Sequence, residues 1–175
     1  MKHHFKSLIV LAVFTTAFIT LSSFIVKKKS ANLDSYQIVL VSKNTVGGAT
    51  EWNWQLTNPN PGNGNNGTLQ NVSHWSVPLN AEAEAALVSA QYSTDGVTWT
   101  SASTVIERDP SIRVCTTEDV LKFDHGTSGT APLYLKATFS ADFAVNPFAT
   151  SWIKTGGGLQ GCNLYYFSGM GGRLY

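Results

Sequence analysis

The sequence predicts an all-β domain folded as a single antiparallel sandwich. Short runs rich in β-branched and aromatic residues recur after residue 35, and several alternate apolar and polar side chains with period two. Clusters of Gly, Asn, Asp and Pro separate these runs, as turns do. Only one segment, AEAEAA at 81–86, favours helix, and no strand–helix–strand alternation appears, which argues against an α/β fold.

The elements follow in order. YQIVLV at 36–41 is a first strand by composition. In 51–57, Trp52, Trp54 and Leu56 point to one face, whereas Glu51, Asn53, Gln55 and Thr57 point to the other. Asn58-Pro59 ends this strand, because proline cannot donate to a ladder, and NPNPGNGNNG at 58–67 is turn chemistry. The next alternation sets Ser73, Trp75, Val77 and Leu79 against Val72, His74 and Ser76. Six residues at 81–86 are too few for a helix that stands alone, so a short helical turn or a strand lead-in is expected. Runs at 87–93 and 97–100 flank Thr94-Asp95-Gly96, a hairpin signal. Later strands are expected at 120–123, 133–139, 149–154 and 163–167, with turns at 126–129, Asn146-Pro147 and 156–158. The tail SGMGGRLY at 168–175 reads as a mobile Gly-rich end.

Ahead of this domain stands SLIVLAVFTTAFITLSSFIV at 7–26, an uncharged and mostly apolar run preceded by Lys2 and Lys6. A basic start, an apolar middle and polar sequence beyond are the pattern of an export signal. Lys27–Lys29 follow directly and oppose translocation, and the run is near the ~20 residues that span a bilayer. Residues 1–30 are therefore expected to be a cleaved signal peptide, with a retained N-terminal membrane anchor as the alternative, and residues 32–175 form the domain. The expected location is secreted or at the cell surface, with the periplasm as a further compartment on the same route.

The chain as a whole carries formal charge +1, but residues 31–175 hold seven Lys and Arg against eleven Asp and Glu, a net −4. That balance lacks the basic face that nucleic-acid binding needs. Cys115 and Cys162, the only cysteines, both lie in the exported part, where an oxidising compartment favours a disulfide. Closing that loop stabilises by about 4 kcal/mol in the chain-entropy model.

Several motifs stand in a fixed order: SHW (73–75), YSTDGVTW (92–99), LKFDHG (121–126), DFAV (142–145), IKTGGG (153–158) and Gly161-Cys162. Together they resemble a group of exported bacterial surface β-sandwich domains. The unit from Glu51 to Leu79, with its GTLQNVSHW segment, resembles the opening of immunoglobulin-like surface domains. The resemblance implies export and an immunoglobulin-like sandwich, and it carries no activity. A jelly roll would produce a similar string of strands and stands as the alternative fold.

No residue pattern points to catalysis. A serine–histidine–acid site would have to use His74 or His125, yet no G-x-S-x-G elbow occurs, and Ser73 and His74 face opposite ways on one strand. Glu82 with Glu84, Glu107 with Asp109, and Glu118 with Asp119 read as surface charge rather than a glycosidase pair. No zinc spacing or calcium loop is present, and Asp95, Asp109, Asp124 and Asp142 read as turn formers. The expectation is thus a non-enzymatic surface or matrix protein with an adhesive or structural role and no cofactor. Its partners would be surface polysaccharide or other envelope proteins, and it would meet the membrane only through a retained leader. The second expectation is a carbohydrate-binding module that stacks sugars on aromatic rings. Trp52, Trp54 and Trp75 share faces with aliphatic residues and read as core. That leaves Trp99, Trp152, Tyr165 and Tyr166 as candidate ligand contacts.

Overall fold

A computed structural model describes residues 35–102, 106–156 and 162–173; the side chains at 106, 107, 162 and 173 lie outside that description. The leader falls outside it as well. Among the described residues there are ten strands and one short helix: β1 (Gln37–Val46), β2 (Ala49–Thr57), β3 (Val72–Pro78), α1 (Ala81–Ala86), β4 (Leu87–Ser93), β5 (Thr100–Ser101), β6 (Ile106–Glu107), β7 (Val120–Phe123), β8 (Leu133–Phe139), β9 (Phe143–Thr155) and β10 (Cys162–Arg173). They form two five-stranded antiparallel sheets. One runs β1-β2-β8-β4-β5 and the other β10-β9-β3-β7-β6. The all-β, two-sheet architecture is the one the alternating runs predict.

The core lies between the sheets, where the period-two strands place it. Trp52, Trp54 and Leu56 of β2 are buried, as are Trp75 and Val77 of β3. Rings from both sheets meet there. Trp54 lies 5.7 Å from Trp75, and Trp75 lies 5.5 Å from Phe123 and 5.1 Å from Phe167, centroid to centroid. Such edge-to-face and offset pairs add to the burial of large apolar area. The Trp54 indole N–H donates to the Ser168 carbonyl at 2.8 Å, tying the first sheet to β10.

Four boundaries differ from the sequence reading, each for a local reason. The first strand continues to Val46 and turns back through Gly47-Gly48, whose φ values of 59° and 85° suit the primed turns that join twisted strands. The hairpin around Asp95-Gly96 forms, with Tyr92 opposite Thr100, but its loop is wider and runs up to β5. There the Asp95 carboxylate caps Val97 N–H and Thr98 N–H at 2.8 and 2.7 Å, and Val97 is exposed. Asn146-Pro147 does not separate strands; β9 runs through it. The register shifts there, with Gly169 opposite Asn146 and Phe167 opposite Ala149, so Pro147 sits in a bulge. The tail is strand rather than mobile end as far as Arg173, with Met170 paired to Val145. By contrast, the 81–86 patch is a single short helix, capped by Asn80, whose side chain accepts from Ala83 N–H at 2.8 Å.

Two features position the polar cluster described next. The Asn-rich loop after β2 is closed by buried Asn58, which donates to the carbonyls of Leu69 and Gln70 at 3.1 and 3.2 Å. The segment 108–119, between β6 and β7, folds back over the outer face of the second sheet. Its turn is closed by Ile112 N–H to Asp109 C=O and Cys115 N–H to Ile112 C=O, and Ile112 is buried. This cover explains why His74 and Ser76, on the face of β3 opposite Trp75, are buried too.

Candidate functional site

The structure brings together a polar cluster that the sequence reading did not assemble. His74 of β3, Asp109 and Ser111 of the covering segment, and Lys122 of β7 meet beside an open depression of about 440 Å³. Ser73, Asp124, Lys154 and Gly156 complete its lining. Strand register builds one wall: Lys154 of β9 stands opposite both His74 and Cys162, so the three form a row across β3, β9 and β10. The Lys154 ammonium donates to the Thr155 carbonyl at 3.2 Å.

The direction of the hydrogen bonds decides what this cluster can do. Ser111 Oγ donates to Asp109 Oδ1 at 2.6 Å, and Asp109 Oδ1 also accepts from Ser111 N–H at 2.9 Å. The serine proton is therefore committed to the carboxylate, and His74 Nε2, 3.1 Å from Ser111 Oγ, must be the donor in that pair. A serine nucleophile needs the opposite polarity, with histidine accepting the serine proton and the acid holding the other ring nitrogen. Here Asp109 Oδ2 approaches the same nitrogen, Nε2, at 2.9 Å, in a contact not aligned as a hydrogen bond. Lys122 Nζ adds charge at 3.6 Å from Oδ2 and 3.5 Å from Asp124. The geometry suits a clasp that holds the covering segment on the sheet. Asp109 is thus not the surface charge that the sequence suggested: its side chain is 1% exposed. The only local signal was Asp-Pro-Ser at 109–111, a turn-forming string that says nothing of a histidine far away in the chain.

Burial lowers the His74 pKa from its ordinary 6.5, and Lys122 and Lys154 lower it further against the opposing pull of Asp109 and Asp124. Burial alone would raise Asp109, but hydrogen bonds from Ser111, then His74 and Lys122, hold it below the ordinary 3.8. Both shifts have the same consequence for stability. The unfolded chain takes up a proton at His74 near pH 6.5 while the folded chain resists it; at Asp109 the same holds near pH 3.8. The stabilisation is complete above pH 6.5 and falls in two stages as pH drops through these values. Urea unfolding at pH 7.5, 5.5 and 4 should show a declining midpoint. His74→Gln, which keeps a donor toward Ser111, should flatten the first stage and reduce the second, which then rests on the Ser111 hydrogen bonds and Lys122.

The candidate ligand residues do not form one site. Trp99 sits in the loop before β5, half-buried, with Lys136 Nζ 4.0 Å from its ring centroid. Trp152 is half-buried on the outer face of β9, opposite Leu164 of β10. Tyr165 points the other way and meets Tyr36 edge-on at 5.8 Å. Tyr36 donates to the Gln70 carbonyl, and burial, then Tyr165, pushes its hydroxyl up to about 12. Tyr166 is 66% exposed, and near it lies Phe148, 75% exposed, a residue that the sequence reading passed over. Of the disulfide candidates, Cys115 lies in the covering segment, and Cys162 is placed by its backbone alone.

The acidic residues weighed as calcium ligands are engaged elsewhere. Asp142 binds Lys43 at 2.6 Å and accepts from Thr50, Asp95 caps its own loop, and Asp124 faces Lys122. Among the described residues no group of three or more His, Cys, Asp or Glu side chains could hold a metal ion. No described helix is long and apolar enough to cross a membrane.

Fold and cluster together define the class of molecule as an all-β protein of two packed antiparallel sheets, with a polar clasp on one outer face. Comparison of the chain with protein-family models, curated proteins and solved structures returns no match.

Proposed function

We propose that the chain is an exported, non-enzymatic surface or matrix domain with an immunoglobulin-like sandwich, acting through adhesion or structural assembly. The observation that carries this reading is where the exposed apolar side chains gather. Phe148 and Val145 of β9 and Leu164 and Tyr166 of β10 lie on one hairpin at a sheet edge. Val39, Val41 and Val46 of β1 are exposed as well, at an edge of the other sheet, and exposed apolar side chains gathered at sheet edges are a mark of contact with another macromolecule. The polar cluster, in contrast, spends its hydrogen bonds on holding its own chain.

Carbohydrate binding is the second reading, and the exposed rings of Tyr166 and Phe148 favour it. Against it, Trp52, Trp54 and Trp75 are buried, and of the two half-buried indoles one lies in the loop before β5 of the first sheet and the other on β9 of the second. A glycan-array screen of the purified protein tests the choice. The surface reading expects no glycan to bind. Binding that disappears in Tyr166→Ala would replace it with the sugar reading.

A Cys115–Cys162 disulfide belongs to the same proposal. Cys162 shares its row with Lys154 and His74, His74 is held by Asp109 and Ser111 of the segment that carries Cys115, and no described cysteine is a free thiol. The bond would fasten the covering segment to β10. Peptide mapping without reductant should recover residues 115 and 162 in one linked peptide. Cys162→Ser should lower stability by about 4 kcal/mol, less any strain relieved.

A further inference from the structure

We propose that the free edge of β10 pairs with β10 of a second copy, antiparallel and two-fold symmetric, joining the second sheets of two molecules. This deepens the surface reading and rests on it, by naming the partner for the exposed hairpin. Among the described residues β10 pairs with β9 on one side alone. From Cys162 to Phe167 it is regular, with six consecutive pairs to β9 and no register shift. An unpaired edge of this kind offers a row of backbone donors and acceptors, and the group that satisfies it is another extended strand.

Proteins guard such edges with charge, proline, bulges or shortness. Among the described residues the other three sheet edges, β1, β5 and β6, carry these guards. β5 and β6 are two residues each. β1 has a bulge between Leu40 and Ser42 and a lysine, Lys43. The 162–167 stretch of β10 has no charged residue and no proline, and its bulge comes only after Phe167. In a domain of net charge −4, an uncharged edge is where two copies approach with least repulsion. The apolar first strand YQIVLV, although also an edge, is the worse candidate on the same grounds.

The stretch is also complementary to itself. A two-fold axis at Tyr165 sets Leu164 against Tyr166 of the second copy, and Tyr166 against its Leu164. Each is exposed in the single chain, at 43% and 66%. Directly opposed aromatic and aliphatic residues are favourable cross-strand pairs, and an interface between two identical strands closes at two molecules.

Sedimentation velocity over a concentration series tests this, using the protein in the form that cells produce. The expected result is a concentration-dependent dimer that Tyr166→Lys abolishes without changing the unfolding temperature. Val39→Lys, on the exposed face of β1, should leave the dimer intact. A monomer at every concentration overturns the proposal, as does a dimer that survives Tyr166→Lys. An exported monomer overturns the edge pairing alone. A dimer retained inside the cell overturns the surface reading alone.

Discussion

Trp75→Ala is expected to destabilise the protein by about 3–5 kcal/mol, the range for removing a large aromatic side chain from a filled core. Trp75 is fully buried and is the ring where the sheets meet: Trp54 reaches it from the first sheet, and Phe123 and Phe167 from the second. Its loss leaves a hole with aromatic walls on several sides, and stiff β-strands close such holes poorly. Trp75→Phe should cost far less. It keeps a ring at the junction, and the Trp75 indole N–H has no hydrogen-bond partner to lose. Trp54→Phe should cost more than Trp75→Phe, because it deprives the Ser168 carbonyl of its donor. Denaturant midpoints for the three variants rank these effects, and an alanine variant near wild-type stability would contradict the packing described.

Gly126→Ala is expected to be the most damaging small substitution. A Cβ at Gly126 would lie 1.9 Å from the Val72 carbonyl oxygen, which is backbone and cannot swing aside. The two chains are locked at that point. Thr127 N–H donates to the Val72 carbonyl at 3.2 Å, and Val72 N–H donates to the Thr127 hydroxyl at 3.0 Å. Forcing them apart breaks both bonds and moves the start of β3, where His74 stands. The expected cost is about 3 kcal/mol or more, the upper end for overpacking. Gly172→Ala, with nothing within 4 Å of the new methyl, is the matched control and should be neutral. Equal thermal stability of the two variants would show that the close approach does not exist.

These two sites mark where the sequence is legible and where it is not. Trp75 announces itself, because strict alternation with Val77 leaves one face apolar. The same logic places Trp52, Trp54 and Leu56. Asp124-His125-Gly126 reads correctly as the end of a strand, since β7 stops at Phe123, although the chain turns only later, at 129–130. What it meets does not read, because Val72 is a long-range neighbour chosen by strand pairing. The clasp of His74, Asp109 and Ser111 is hidden for the same reason: His74 lies on β3, far along the chain from the covering segment that carries Asp109 and Ser111. Pro147 misleads because a bulge tolerates what a regular ladder does not. The Gly-rich tail misleads because its pairing with β9 outweighs its composition. The free edge of β10 depends on strand order, which no local pattern carries.

The central claim, an exported domain displayed outside the membrane, is tested most directly by protease shaving of intact cells followed by peptide mapping. The expected result is release of peptides from residues 35–173 without lysis, together with a mapped N-terminus that shows whether the leader has been removed. Peptides from the domain that appear only after the cells are broken open would contradict the claim.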